Sequence, residues 1–249
     1  MILSFSGLQH QVEIEPGRLS FLEIENQTLF SRLAGSLLSE SGTDSLEPYS
    51  VWESEREIRP KDAFLCIANP LCLPWDHRLV AGKMLERIEK TYIEDDVVRI
   101  KIEELGRNFF NLVERACFQL DADYAFGLEW DAKRLLKQFG FSPDLSACES
   151  LLDSLIMFTD FVFDMVPNQP LLFVNLQKFL TEKELNYLIE RFFFHKTTVL
   201  SIESGLSECR LNNVWKMQVD QHFCETIQSG YPSSTQGGFC ANGFGAVTS

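Results

Sequence analysis

Residues Leu171–Ser204, LLFVNLQKFLTEKELNYLIERFFFHKTTVLSIES, decide the class of fold. Pro170 opens a continuous apolar run, Leu171-Leu172-Phe173-Val174, which suits a central strand buried on both faces of a parallel sheet. Thr181-Glu182-Lys183-Glu184 is a capping box: the threonine side chain takes an orphan amide at the helix start and the glutamate reaches back to the threonine amide. It predicts a helix running to Phe194. Thr197-Thr198-Val199-Leu200-Ser201-Ile202 then reads as a second strand. Strand, helix and strand in that order predict a right-handed crossover between parallel neighbours.

Upstream of this segment the pattern changes twice. From Met1 to Asn26 it is strand-like: Ile2-Leu3, then Val12 to Glu15 with period 2, a Pro16-Gly17 turn, and Leu19 to Ile24. A helix is expected over Thr28–Leu38, interrupted by Ser39–Ser45, with strands at Tyr49–Trp52 and Ala63–Ile67. After Pro74-Trp75-Asp76 the spacing becomes helical. Leu79, Val80, Met84, Leu85 and Ile88 recur on one helix, and Ile102, Leu105, Phe109 and Leu112 on a second that starts at Val97. Asp131 can cap a shorter helix ended by Gly140, and Leu151, Leu155, Phe158, Val162 and Met165 form a further helix stopped by Pro167. The reading is an α/β head, 1–73 with 169–228, split by a helical insertion at 74–168 that projects as an arm. The Ser-Gly-Pro-rich stretch at 229–249 reads as a flexible tail.

Composition narrows the function classes. With 45% hydrophobic and 23% charged residues the chain falls in the range of ordinary globular proteins, and no apolar run approaches the ~18 residues of a membrane span. A cytoplasmic protein without a membrane partner is expected. Seven cysteines, with no CxxC pair and no histidine at zinc-finger spacing, read as incidental thiols of a reducing compartment. The four histidines are scattered singly and start no metal or triad argument. A net charge of −14 opposes nucleic-acid binding unless the basic groups gather on one surface.

Leu171–Ser204 resembles the corresponding stretch of the type II-A CRISPR accessory adaptation family, in which an apolar strand ends in Val-Asn, a loop leads to Phe-Leu-Thr, and a helix passes into a Thr-Val-Leu strand. Leu22-Glu23, Leu120-Asp121-Ala122-Asp123-Tyr124 and Val219-Asp220-Gln221-His222-Phe223 agree with it in order, so that the resemblance extends over about residues 1 to 228. It implies a P-loop-ATPase-like head with a protruding helical region. It further implies a homotetrameric ring around double-stranded DNA, supported by calcium ions, with the CRISPR integrase complex and effector nuclease as partners in spacer acquisition.

A P-loop-like head would carry its phosphate loop between the strand ending near Glu25 and the helix near Thr28. The residues there, Glu25-Asn26-Gln27-Thr28, include no glycine to expose backbone amides and no Lys-Ser or Lys-Thr pair. Glu23 and Glu25 would repel a triphosphate, and Asn175 stands where such folds place the magnesium-supporting aspartate. A non-catalytic adaptor is therefore expected; a nucleotide hydrolase, or a protein scaffold that leaves DNA untouched, are the competing readings. Asp121, Asp123, Glu129 and Asp131 are the candidate calcium ligands, because calcium takes six to eight oxygens, although charge patterning alone fits a solvated acidic loop equally well. For DNA the candidates are Lys133, Arg134 and Lys137, which share one helical face, with Arg99 and Lys101. The same insertion holds Arg78, Lys83, Arg87, Lys90, Arg107 and Arg115 among comparable numbers of acids, so that an ordinary mixed-charge surface is the alternative for any one of them. No helix-turn-helix, zinc finger or aromatic stacking box is present, which predicts sequence-independent binding.

Overall fold

Leu171–Val174 is a strand whose four residues are all buried, as a continuous apolar run demands when both faces of a sheet are covered. The computed structural model in which it lies describes residues 1–117, 134, 143–208 and 211–229. The protein is mixed α/β and divides into two units, Met1–Ala68 with Pro170–Ser249, and Asn69–Gln169.

The first unit contains two sheets. One is antiparallel, ordered β2-β1-β4-β5, from β1 (Ile2–Phe5), β2 (Val12–Glu13), β4 (Tyr49–Glu53) and β5 (Arg56–Ile58). The other is ordered β10-β9-β3-β8-β7-β6 and is built from β3 (Leu19–Ile24), β6 (Leu65–Ile67), β7 (Leu171–Val174), β8 (Val199–Ser204), β9 (Val214–Val219) and β10 (Glu225–Ser229). Its pairings are parallel except for β10 against β9. Every residue of β3 is buried: it is flanked by parallel neighbours on both edges, and the sheet is covered on both faces there.

Alternation along these strands assigns two faces. Leu22, Ile24, Leu172, Val174, Leu200, Ile202, Trp215 and Met217 join one core with the antiparallel sheet and with Leu29, Leu33 and Leu37 of α1 (Gln27–Leu38). Leu19, Phe21, Phe173 and Val199 point the other way and are also fully buried. The crossover helix α6 (Glu182–His195) buries Leu185, Leu188, Ile189 and Phe192, a stripe at helical spacing. Its capping box forms: Glu184 N donates to Thr181 Oγ1 at 3.4 Å, and Thr181 N donates to Glu184 Oε2 at 2.8 Å.

The second unit is helical where it is described. Here α3 (Arg78–Glu94) packs on α4 (Asp96–Cys117) and on α5 (Leu151–Met165). Only Asp95 separates α3 from α4, and its Oδ1 accepts from Val97 N and Val98 N, capping the second helix. Trp75 meets Phe158 of α5 edge-on, with ring centroids 5.1 Å apart. On α4, Leu105, Phe109 and Leu112 fall at i, i+4 and i+7 and stay exposed. Among the described residues, no helix is long and apolar enough to cross a membrane.

Several boundaries differ from the sequence reading. Ala63 belongs to a short helix, α2 (Pro60–Ala63), and the strand begins only at Leu65, because Pro60 at the first helical position favours a turn of helix. Thr197 and Thr198 precede β8 rather than open it, and Ile14 and Glu15 lie beyond β2. The β4–β5 hairpin was not expected, since its turn has no glycine or asparagine; Ser54 takes the left-handed conformation at φ 55° instead. Strands β9 and β10 were likewise not expected. The predicted helix over 131–140 falls outside the described residues, apart from helical Arg134.

Candidate functional site at the carboxyl edge of the parallel sheet

Parallel α/β sheets place their ligand sites at the carboxyl ends of the strands, where backbone amides and loop residues converge. At that edge β3 ends in Glu23-Ile24 and α1 begins at Gln27, leaving Glu25 and Asn26 as the whole connection. Asn26 caps the helix, its side chain accepting from Leu29 N at 3.0 Å. Glu25 is engaged from β9's trailing loop: its Oε2 accepts from Gln221 N at 3.1 Å and its carbonyl from Gln221 Nε2 at 2.8 Å. A phosphate-cradling loop needs several residues whose amides point inward. Two residues provide no such loop.

Register places Glu23 beside Glu203 of β8 and Gln218 of β9. Glu23 is fully buried, and each of its oxygens accepts two bonds. Lys216 Nζ lies 3.0 Å and Gln177 Nε2 3.1 Å from Oε1; Gln218 Nε2 lies 2.7 Å and Ser207 N 2.9 Å from Oε2. That saturates a carboxylate. Lys216, itself 4% exposed in its side chain, also donates to Ser207 O at 3.1 Å. The carboxylate read from the sequence as repelling a triphosphate thus has its own internal cation.

Glu203 is treated differently. Its Oε1 accepts from Ser201 Oγ at 2.6 Å and Gln177 N at 3.1 Å, while its buried Oε2 has no hydrogen-bond partner. Burial pushes this carboxyl up to about 7, and nearby Glu23 adds to the rise against the pull of those two hydrogen bonds. Asn175 sits just past β7 in the left-handed conformation, φ 57°, and its Oδ1 accepts from both Ser204 N and Ser204 Oγ at 2.8 Å. It ties β7 to β8. Lys178 donates to the same Ser204 hydroxyl.

Reasoning from sequence singled out Glu23, Glu25 and Asn175 but missed Lys216, Gln218, Gln177 and Glu203. A signal was present: Lys216 and Gln218 interrupt an otherwise apolar run, Val214 to Val219, and a charge in a buried strand requires a partner. Among the candidate DNA residues, Arg99 is half-buried on α4 with its guanidinium 2.5 Å from Asp96, and Lys101 is exposed. Two positions apart on one helix, they do not share a face. Arg134 is exposed and helical. Lys133 and Lys137, and the carboxylates Asp121, Asp123, Glu129 and Asp131, lie outside the described residues. Lys83, Arg87 and Lys90 do align on one exposed face of α3, but Lys83 is 2.8 Å from Glu86 and Lys90 is 3.6 Å from Glu94. Among the described residues, no group of three or more His, Cys, Asp or Glu is placed to hold a metal ion.

Comparison with known families adds what this geometry leaves open. A family model described as CRISPR-associated protein (Cas_Csn2) matches residues 48–217, well over half of the chain. The chain belongs to the Csn2 family of type II-A CRISPR-associated proteins. The Csn2 match runs from just before β4 into β9 and includes Asn175, Gln177, Glu203 and Lys216, while Glu23 lies upstream of it. Membership in Csn2 gives the chain a CRISPR-associated role. No curated protein matches it individually.

Proposed function

We propose that this chain is a non-catalytic adaptor that binds double-stranded DNA ends without regard to sequence during CRISPR spacer acquisition. It acts in the cytoplasm as a homotetrameric ring, with the CRISPR integrase complex and the effector nuclease as partners. The observation that carries the reading is the Csn2 family match over residues 48–217. The carboxyl edge of the sheet supports the adaptor over the hydrolase reading. A head of P-loop-like descent, with a helical arm inserted, would have exchanged its phosphate loop for the Glu25–Asn26 connection and its bound phosphate for Glu23. The exposed apolar stripe of Leu105, Phe109 and Leu112 supports self-association, since monomers seldom leave such surfaces uncovered. Closed symmetry also answers the charge problem, by gathering basic faces of a −14 subunit around a shared interior.

Calcium enters the proposal through Asp121, Asp123, Glu129 and Asp131, which supply the carboxylate oxygens that this ion prefers. It would neutralise carboxylates that otherwise repel across the assembly. Lys133, Arg134 and Lys137 are proposed to meet the phosphate backbone, with Arg99 and Lys101 contributing separately from different faces of α4.

The test is binding of linear duplex and of a covalently closed circle of the same sequence across a salt series. A ring requires a free end, so the linear form should bind well and the circle poorly. Log affinity should fall against log salt by about 0.9 per phosphate contact, and changing Lys133, Arg134 and Lys137 together to Ala should flatten that slope. Equal affinity for both topologies would refute threading. No binding to either would favour the scaffold reading.

A further inference from the structure

Strands β7 and β8 reach the carboxyl edge side by side, and the chain after β7 makes one tight helical turn, Leu176–Phe179, before it enters α6. Polar residues fasten that turn. Asn175 Oδ1 accepts from the amide and the hydroxyl of Ser204, and the exposed Lys178 donates to the same hydroxyl. Gln177 donates its amide to Glu203 Oε1 and its side-chain nitrogen to Glu23 Oε1, each at 3.1 Å. A single residue therefore bridges two buried carboxyls, and the cation that follows it rests on a neutral partner.

This arrangement suits one protonation state of Glu203. Both of its donors, Ser201 Oγ and Gln177 N, serve Oε1, while the buried Oε2 has no hydrogen-bond partner. A neutral carboxyl tolerates that. An ionised one leaves a charged oxygen unpaired in the interior, so any donor able to reach it gains a charge-assisted bond. Glu23 on β3 repels the ionised form and is itself held by Lys216 of β9, 3.0 Å away, whereas Lys178 on the turn attracts it. Lys216 is committed to Glu23 and to Ser207 O. Lys178 sits on the residue next to Glu203, and its flexible stem lets the ammonium change partner.

We propose that ionisation of Glu203 draws the Lys178 ammonium from the Ser204 hydroxyl to Glu203 Oε2, which makes Leu176–Phe179 a proton-controlled element at the carboxyl edge of the sheet. Glu203 releases its proton to solvent and Lys178 keeps its own, so the buried negative charge is compensated as it forms. The Ser204 hydroxyl then retains Asn175 alone, and the Gln177 amide faces a fully charged acceptor. An anion that meets this edge finds Lys178 on the surface only while Glu203 holds its proton. Burial lifts the Glu203 carboxyl to about 7, so the exchange falls in the neutral range, with Lys178 on Ser204 below it and on Glu203 above it.

Two measurements on the full chain test this. Crystal structures at about pH 5.5 and about pH 8.5 should show Lys178 Nζ on Ser204 Oγ at the lower value and within ~3 Å of Glu203 Oε2 at the higher. In solution, protein labelled with 15N-glutamine reports the Gln177 amide, its signal identified by its absence from Gln177→Asn. That signal should titrate in the neutral range and stay flat in Glu203→Gln. In Lys178→Met the midpoint should rise by about one pH unit or more, because the attracting charge is gone. Lys178 on Ser204 in both crystals, a flat Gln177 signal in the parent, a titration that persists in Glu203→Gln, or an unmoved midpoint in Lys178→Met would each overturn the proposal.

Discussion

Replacing Glu203 with Gln should make the protein more stable at pH 8 and leave it nearly unchanged at pH 4.5. The carboxyl is 3% exposed, one of its oxygens has no partner, and burial lifts it from an ordinary 4.5 to about 7. Between those values the folded protein retains a proton that the unfolded chain has released, so stability falls as pH rises through the window. The contribution is whole below about pH 4.5 and gone above about pH 7. At 1.36 kcal/mol per pH unit, the interval from 4.5 to about 7 corresponds to ~3 kcal/mol. Glutamine imitates the protonated acid at every pH and removes this slope. Chemical denaturation of parent and variant between pH 4.5 and 8 measures the difference, in which the histidines common to both cancel. The variant's advantage should grow from near zero to ~3 kcal/mol. A difference that stays constant across this range would show that Glu203 does not take up its proton on folding.

Lys216→Met should destabilise by about 3–5 kcal/mol, because it strands Glu23 as a buried charge, and adding Glu23→Leu should recover much of the loss; denaturant titration of the single and double variants checks both. Thr181→Ala should cost about 1 kcal/mol in the same assay through loss of the α6 capping box. Asp121→Asn with Asp123→Asn should lower Tm measured in calcium while leaving the chelated value unchanged, and an equal calcium shift in parent and variant would place the ion elsewhere.

Much of the fold was legible where local signals agree. Leu171–Ser204 carries an apolar run, a capping box and a second strand in order, and each is a property of neighbouring residues. The hairpin at Ser54 lacked turn chemistry, and β9 was obscured by the buried Lys216 and half-buried Gln218, whose places make sense only beside Glu23, almost two hundred residues earlier. The site divides the same way. Glu25 and Asn175 could be named from their places after strands, whereas the saturation of Glu23 depends on three separate segments meeting.

The central strand β3 also sets a timetable for synthesis. It is complete at Ile24, but its neighbours β8 and β9 end at Ser204 and Val219, and β6 must wait for β7 more than a hundred residues downstream. At roughly 5–20 residues per second, ~10–40 s pass between translation of β3 and of the strands that flank it. During that interval Leu19, Phe21 and Leu22 lack the neighbours that bury them, and the Glu23 carboxylate is without Lys216. The helices between residues 69 and 169 emerge first and rely on closer contacts, so they can fold while the sheet is still incomplete. A ribosome pause placed before β9 would prolong the exposure of β3 and favour its capture by chaperones.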